Sequence, residues 1–286
     1  MALTDALASS PTLLIIVAAL LGLLIGSFLN VVAIRLPQMM EATWKRDSRS
    51  MLDLPEVTDQ PKLSLMSPPS TCPSCGGRIR AWHNLPVISW LLLRGRCAYC
   101  KAAISPQYPL VELACGVMSA VCAWRFGWSP QLAAALVMSW SLLVLTVIDL
   151  RTQLLPDDIT LPLMWLGLLL SVFEIFVGAH TSIVGAVLGY LSLWSIYHVF
   201  KLLTGKEGMG YGDFKLLAAL GAWFGAERLP MIILLSSLVG AVIGIGLMLF
   251  RGRDRSSAIA FGPYLAGAGW ITLIWGQSLG QLFLPH

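Results

Sequence analysis

Charge is what this sequence has least of. Of its 286 residues, 12% are Asp, Glu, Lys or Arg, and 57% are hydrophobic. Soluble domains carry about 25% charged residues, so this scarcity excludes an ordinary water-covered globule. Much of the surface must face lipid. The charges cluster between Arg35 and Lys101, and the rest is nearly continuous apolar sequence. Low-complexity tracts and internal repeats are lacking, which excludes a repeat array. A basic segment ahead of the first apolar run is lacking too: the only charged side chain before Pro11 is Asp5. A cleaved signal peptide is therefore not expected here. The run Pro11–Ile34 exceeds the roughly 20 residues that cross a bilayer and reads as a permanent anchor.

Seven further candidate spans follow: Pro109–Phe126, Gln131–Ile148, Ile159–Val177, Ser182–Leu203, Phe214–Gly225, Pro230–Phe250 and Ala260–Phe283. The Phe214 span is short and Gly-rich. Eight spans return both termini to one side. Lys and Arg choose that side. The loops after spans one, three, five and seven, with their flanks, hold 17 of the 19 basic residues; Arg125 and Arg228 lie opposite. Those loops are expected in the cytoplasm and the termini outside. The net charge of +4 is thus a topology signal and not a nucleic-acid footprint. The expected fold is an all-α integral membrane protein of about eight transmembrane helices. It divides into an anchor (1–34), a cytoplasmic tetracysteine loop (35–108) and a polytopic membrane domain (109–286).

The loop is the only stretch long enough to fold in water. It carries Cys72-Pro-Ser-Cys75 and Cys97-Ala-Tyr-Cys100, two CxxC pairs able to give four thiolates to one tetrahedral ion. Gly76, Gly77 and Gly95 supply tight turns beside them. Two disulfides are the alternative, disfavoured on a reducing cytoplasmic face. Four thiolate ligands would leave Zn²⁺ no open position for catalysis, so the site reads as structural. His83 between the pairs reads as a surface or neighbouring histidine, and Cys115 and Cys122 as small buried thiols in a span.

Ionisable groups in or beside spans are functional candidates. Asp149 ends the third span, and Asp213 opens the sixth within Gly210-Tyr-Gly212-Asp213. The topology puts both at one depth. A carboxylate pair sharing a proton can activate water and protonate a departing group. Gly210 and Gly212 would permit unusual backbone angles and close approach. Other roles stay open on chemistry alone. Asp213 could cap a helix, Asp149 could pair with Arg151, and proton-coupled transporters also use intramembrane acids. Asp157 and Asp158 follow Pro156 and read as capping residues. Glu112 reads as structural or substrate-facing, and Glu174 as reaching water.

Together these residues resemble the bacterial type IV prepilin peptidases. The resemblance runs over Gly26-Ser-Phe-Leu-Asn30 to Arg35-Leu-Pro37, the four cysteines, Leu93-Arg-Gly-Arg-Cys97 and Ile104-Ser-Pro-Gln-Tyr108-Pro-Leu-Val-Glu112. It continues through the Asp149 segment, Gly208–Lys215 and Phe261-Gly-Pro263-Tyr-Leu. It implies an inner-membrane aspartic peptidase of the GxGD type, with Asp149 and Asp213 catalytic. It also implies zinc on Cys72, Cys75, Cys97 and Cys100. The implied substrates are prepilins and pseudopilins, cleaved after a glycine on the cytoplasmic side. N-methylation of the new terminus by S-adenosylmethionine is implied as well. The Gly-rich nucleotide motif of a soluble methyltransferase is lacking, so the resemblance names no methyl-transfer residues. The segment Asn30–Arg35 and the Gly95 turn are expected near the methyl donor.

Overall fold

The computed structural model describes residues 3–55, 63–206, 208–251 and 260–283. Lys62, Arg253 and Arg255, three of the orienting basic residues, lie outside them. The described chain is helical and forms two compact units, residues 1–128 and 129–286. Five segments are long and apolar enough to cross a membrane: Pro11–Met51, Gln107–Phe126, Pro130–Thr152, Ala179–Thr204 and Ala226–Gly246.

The first unit contains α1 (Leu3–Ser9), α2 (Pro11–Met51), α3 (Ile88–Leu92) and α4 (Gln107–Phe126). Ser10 starts α2: its hydroxyl accepts from the Leu13 N–H at 3.4 Å, and Pro11 sits where no donor is needed. The expected boundary at Ile34 is not a helix end. α2 continues to Met51 with Pro37 inside it. Beyond Pro37 strong helix formers follow, Gln38, Met39, Met40, Glu41, Ala42 and Lys45 among them, and Glu41 and Lys45 pair one turn apart at 2.6 Å. Helical propensity therefore carries α2 past the apolar run. α2 and α4 pack together through small residues. A Cβ on Gly26 would come within 2.7 Å of Glu112 Cα.

The second unit contains α5 (Pro130–Thr152), α6 (Asp157–Val172), α7 (Ala179–Thr204), α8 (Tyr211–Phe224), α9 (Leu229–Arg251) and α10 (Gly262–Phe283). α8 is its centre. Phe214 and every residue from Leu216 to Trp223 are buried, as expected of a helix apolar all round. α7 lies against it where Gly185 and Gly221 meet; a Cβ on either would overlap the other's carbonyl. α6 meets it through the Trp223 indole, whose N–H donates to the Leu163 carbonyl at 2.8 Å. α10 packs on α5, α8 and α9. α6 has 16 residues and α8 has 14. At 1.5 Å per residue they reach about 24 and 21 Å, short of a ~30 Å hydrocarbon core.

Candidate active site and metal centre

The cysteine loop builds the same turn twice. The Cys72 N–H donates to the Gly77 carbonyl at 2.9 Å, and the Gly76 N–H to the Cys72 carbonyl at 2.9 Å. In the second turn the Cys97 N–H donates to the Ala102 carbonyl at 2.8 Å, and the Lys101 N–H to the Cys97 carbonyl at 3.1 Å. Isolated antiparallel bridges, Thr71 with Arg78 and Arg96 with Ala103, close the two turns. The residue after each second cysteine is left-handed: Gly76 at φ 68° and Lys101 at φ 62°.

All six cysteines are free thiols. The sulfurs of Cys72, Cys75, Cys97 and Cys100 lie within 4.8 Å of one another, and Cys72 and Cys100 are 3.8 Å apart. A tetrahedron with Zn–S bonds of about 2.3 Å has edges of about 3.8 Å. The four residues therefore fit a metal ion. Backbone N–H groups of Ser74 and Cys75 hold the Cys72 thiol down to about 6, and those of Cys100 and Tyr99 lower Cys97. Cys100 is pushed up to about 11: the Ala102 N–H pulls it down, but burial and the sulfurs of Cys75, Cys97 and Cys72 outweigh that. Four such sulfurs resist full ionisation, and a divalent cation compensates for it.

In the second unit, Asp149 lies in the last turn of α5, which Gln153 stops in a left-handed conformation. Asp213 lies in the first turn of α8. Gly210 is the N-cap there, so Asp213 is not the cap. Both aspartates are buried, at 5% and 7% exposure. They are close enough for the charge of Asp149 to act on Asp213. The Gly262 backbone amide faces Asp149, and that of Gly210 faces Asp213. Yet Asp149 Oδ2 and Asp213 Oδ1 are each buried without a hydrogen-bond partner. Buried oxygens in that state are costly in a structural role. Phe214, beside Asp213, is locked among Tyr190, Tyr197 and Tyr211, which fixes where α8 begins.

Two family profiles match the chain. One, described as the bacterial peptidase A24 N-terminal domain, covers residues 20–126; the other, the type IV leader peptidase family, covers residues 136–245. A Stutzerimonas stutzeri protein named prepilin leader peptidase/N-methyltransferase is 53% identical over 278 residues, 97% of this chain and 96% of its own. Proteins of the same name from Pseudomonas aeruginosa (52%, over 99% and 98% of the two chains) and Aeromonas salmonicida (54%, over 93% and 92%) are similar to it. The chain belongs to the type IV leader peptidase family. No solved structure matches it.

In this family member the acidic residues divide clearly. Asp157 does not cap α6, whose N-cap is Pro156 with no side-chain bond. It binds Lys215 Nζ through both carboxylate oxygens at 2.7 Å, tying α6 to α8. Asp158 and Glu174 are exposed. Gly210 has an ordinary φ of −84°, so its expected special geometry is absent. Gly212 is a close approach: a Cβ there would meet Leu155 Cβ at 2.7 Å. Gly262 was not singled out as a site residue, although the Phe-Gly-Pro run at 261–263 marks it. A Cβ on Gly262 would sit 2.6 Å from Asp149 Oδ2 and 3.1 Å from Leu155 Cδ1 and Cδ2. Leu155 thus packs against both glycines, and Asp149 against one.

A cavity of about 470 Å³ lies wholly within the first unit, among α2, α4 and the cysteine loop. Asn30, Arg35, Val87, Tyr108 and Glu112 are among its lining residues. The Arg35 guanidinium is held by the carbonyls of Ser64 (2.9 Å) and Pro68 (2.7 Å), so it anchors the start of the loop.

Proposed function

We infer that this enzyme removes the leader from type IV prepilins and pseudopilins and N-methylates the new terminus, with S-adenosylmethionine as donor. The family and the relatives' names support the two activities. The observation that carries the peptidase half is the pair of buried carboxylates, each with an unpartnered oxygen, at the end of α5 and the start of α8.

Asp149 and Asp213 would hold one proton between them. The ionised carboxylate takes a proton from water as it attacks the scissile carbonyl. The protonated one polarises the carbonyl oxygen and then helps protonate the leaving amine. A substrate glycine before the bond eases the unwinding this needs. Cys72, Cys75, Cys97 and Cys100 would hold Zn²⁺, which cross-links the loop when bound and has no open position for chemistry. The methyl donor supplies an electrophilic methyl when bound. The first-unit cavity suits it: its volume lies in the usual ligand range of roughly 300–1,000 Å³, and Trp90, Tyr99 and Tyr108 line it with rings on which a nucleobase can stack.

Eight spans in the bacterial inner membrane, a cytoplasmic loop and periplasmic termini complete the proposal. The short α6, α8 and the 22-residue α10 supply the three spans beyond the five long apolar segments. The basic residues support that orientation. By role, the proposal divides the chain into anchor (1–34), loop (35–108) and peptidase domain (109–286), while by packing α4 joins α2 in the first unit.

Incubating purified protein with a prepilin, with and without S-adenosylmethionine, tests both activities by product mass. Loss of the leader in either case, and one added methyl only with the donor, is expected. An intact prepilin in both reactions refutes the peptidase, and a cleaved but unmethylated product at saturating donor refutes the transferase.

A further inference from the structure

Two buried acceptors face the first-unit cavity, and the peptidase chemistry uses neither. Asn30 on α2 is 1% exposed. Its amide nitrogen donates to the carbonyls of Gly26 (3.3 Å) and Tyr108 (3.1 Å). Both donor hydrogens are spent, so the amide orientation is fixed. Its Oδ1 is buried with no partner. Glu112 on α4 is 7% exposed; its Oε2 accepts from the Val87 N–H at 2.7 Å, and the Ser27 hydroxyl of α2 also faces its carboxylate, so its partners are neutral donors and no cation. The two residues sit on facing turns of one helix pair. Asn30 is one turn beyond Gly26, which packs on the Glu112 Cα. Glu112 is one turn beyond Tyr108, whose carbonyl takes the Asn30 amide.

A structural duty explains only part of this. Val87 has φ 61°, rare for a β-branched residue, and its N–H needs an acceptor there. A glutamine would serve that bond equally well, without a buried charge. No cationic side chain pairs with Glu112 among the described residues. An uncompensated carboxylate beside an orphan amide oxygen is a receptor for a ligand with several N–H donors and positive charge.

We propose that Asn30 Oδ1 and Glu112 bind the primary ammonium of the freshly cut pilin terminus. This rests on the reading that the methyl donor occupies the same cavity. The terminal ammonium donates to Asn30 Oδ1 and gives a proton to Glu112. The resulting amine lone pair forms the new N–C bond to the methyl as the methyl–sulfur bond breaks. The sulfur keeps that electron pair and leaves as a neutral thioether. The product is a secondary ammonium, and the Glu112 proton passes to water.

The test is binding to the purified full-length enzyme in detergent. Two peptides carry the mature pilin terminus, one with a free amine and one N-acetylated; S-adenosylhomocysteine is measured separately. The free-amine peptide should bind wild type about tenfold more tightly or better, the scale of a charge-assisted bond. Glu112→Gln keeps an acceptor for Val87, so its zinc content and unfolding temperature should match wild type while the preference for the free amine disappears. Equal binding of the two peptides by wild type overturns the proposal whatever the variant does. So does a Glu112→Gln variant that keeps the preference, or one that instead loses S-adenosylhomocysteine, since Glu112 would then hold the donor's own ammonium. Ile34→Trp fills the cavity. Unchanged S-adenosylhomocysteine binding by that variant refutes the cavity reading itself, a different result from loss of peptide discrimination.

Discussion

Replacing Gly262 with alanine should disable the peptidase without unfolding the protein. The added Cβ would lie 2.6 Å from Asp149 Oδ2. Ordinary contact requires the carboxylate to move by roughly 0.8 Å. The same Cβ would also lie 3.1 Å from both methyls of Leu155, so moving the carboxylate alone does not relieve the crowding. Overpacking of this kind costs about 1–3 kcal/mol of stability. A catalytic group displaced by about 1 Å costs on the order of 100-fold in rate. Gly262→Ala should therefore lower kcat for leader cleavage about 100-fold with KM little changed. Gly267→Ala is the control on the same helix: nothing lies within 4 Å of its Cβ, and removing a helix glycine is worth about 0.5–1 kcal/mol in its favour. Initial cleavage rates by mass spectrometry and thermal unfolding in detergent give both quantities. If the two alanine variants cleave at the same rate, the contact between Gly262 and Asp149 has no part in holding the site.

Other outcomes follow from the same geometry. Asp149→Asn and Asp213→Asn should each lower cleavage by about 10²–10⁴-fold, the range for losing a positioned acid or base. Zinc content and methylation of precleaved pilin should persist, and Asp157→Asn, which breaks only the link to Lys215, should be milder; near-normal cleavage by either of the first two refutes the pair. Zinc uptake by metal-stripped protein should weaken steadily as pH falls below about 11, where Cys100 takes its proton, with a further loss near about 6. The Cys72 thiol is lowered from 9.0 to that value, so its thiolate, and any stability it gives the loop, is present above 9.0 and lost on acidification. Chromophoric chelator titration reads this, and uptake that shows no further loss near pH 6 contradicts the N–H···S bonding at Cys72. Lys101→Gly should raise the unfolding temperature of the loop by relieving a left-handed residue at φ 62°, worth about 1–2 kcal/mol. Gly76→Ala should lower it.

The sequence by itself determined the solvent, the family and the identity of the chemical groups. Each is written locally: scarce charge forces lipid exposure, two CxxC pairs carry their own turn geometry, and Gly210-Tyr-Gly212-Asp213 is contiguous. Helix ends were less legible, because hydropathy follows the lipid and hydrogen bonding follows the backbone. α2 thus runs on to Met51 through Pro37. Tertiary structure alone showed which acids are buried without a partner and which are paired. Asp149 and Asp157 lie eight positions apart, yet one is buried with an orphan oxygen and the other is neutralised by Lys215. Packing also decided which glycines matter. Gly212 and Gly262 are required by Leu155 and Asp149, contacts between segments about 50 to 110 positions apart that no local pattern encodes. The same holds for Asn30 and Glu112, 82 positions apart. Only the close approach of α2 and α4 puts the orphan oxygen of Asn30 and the carboxylate of Glu112 on one cavity, and satisfaction of a buried group is a property of its neighbours in space.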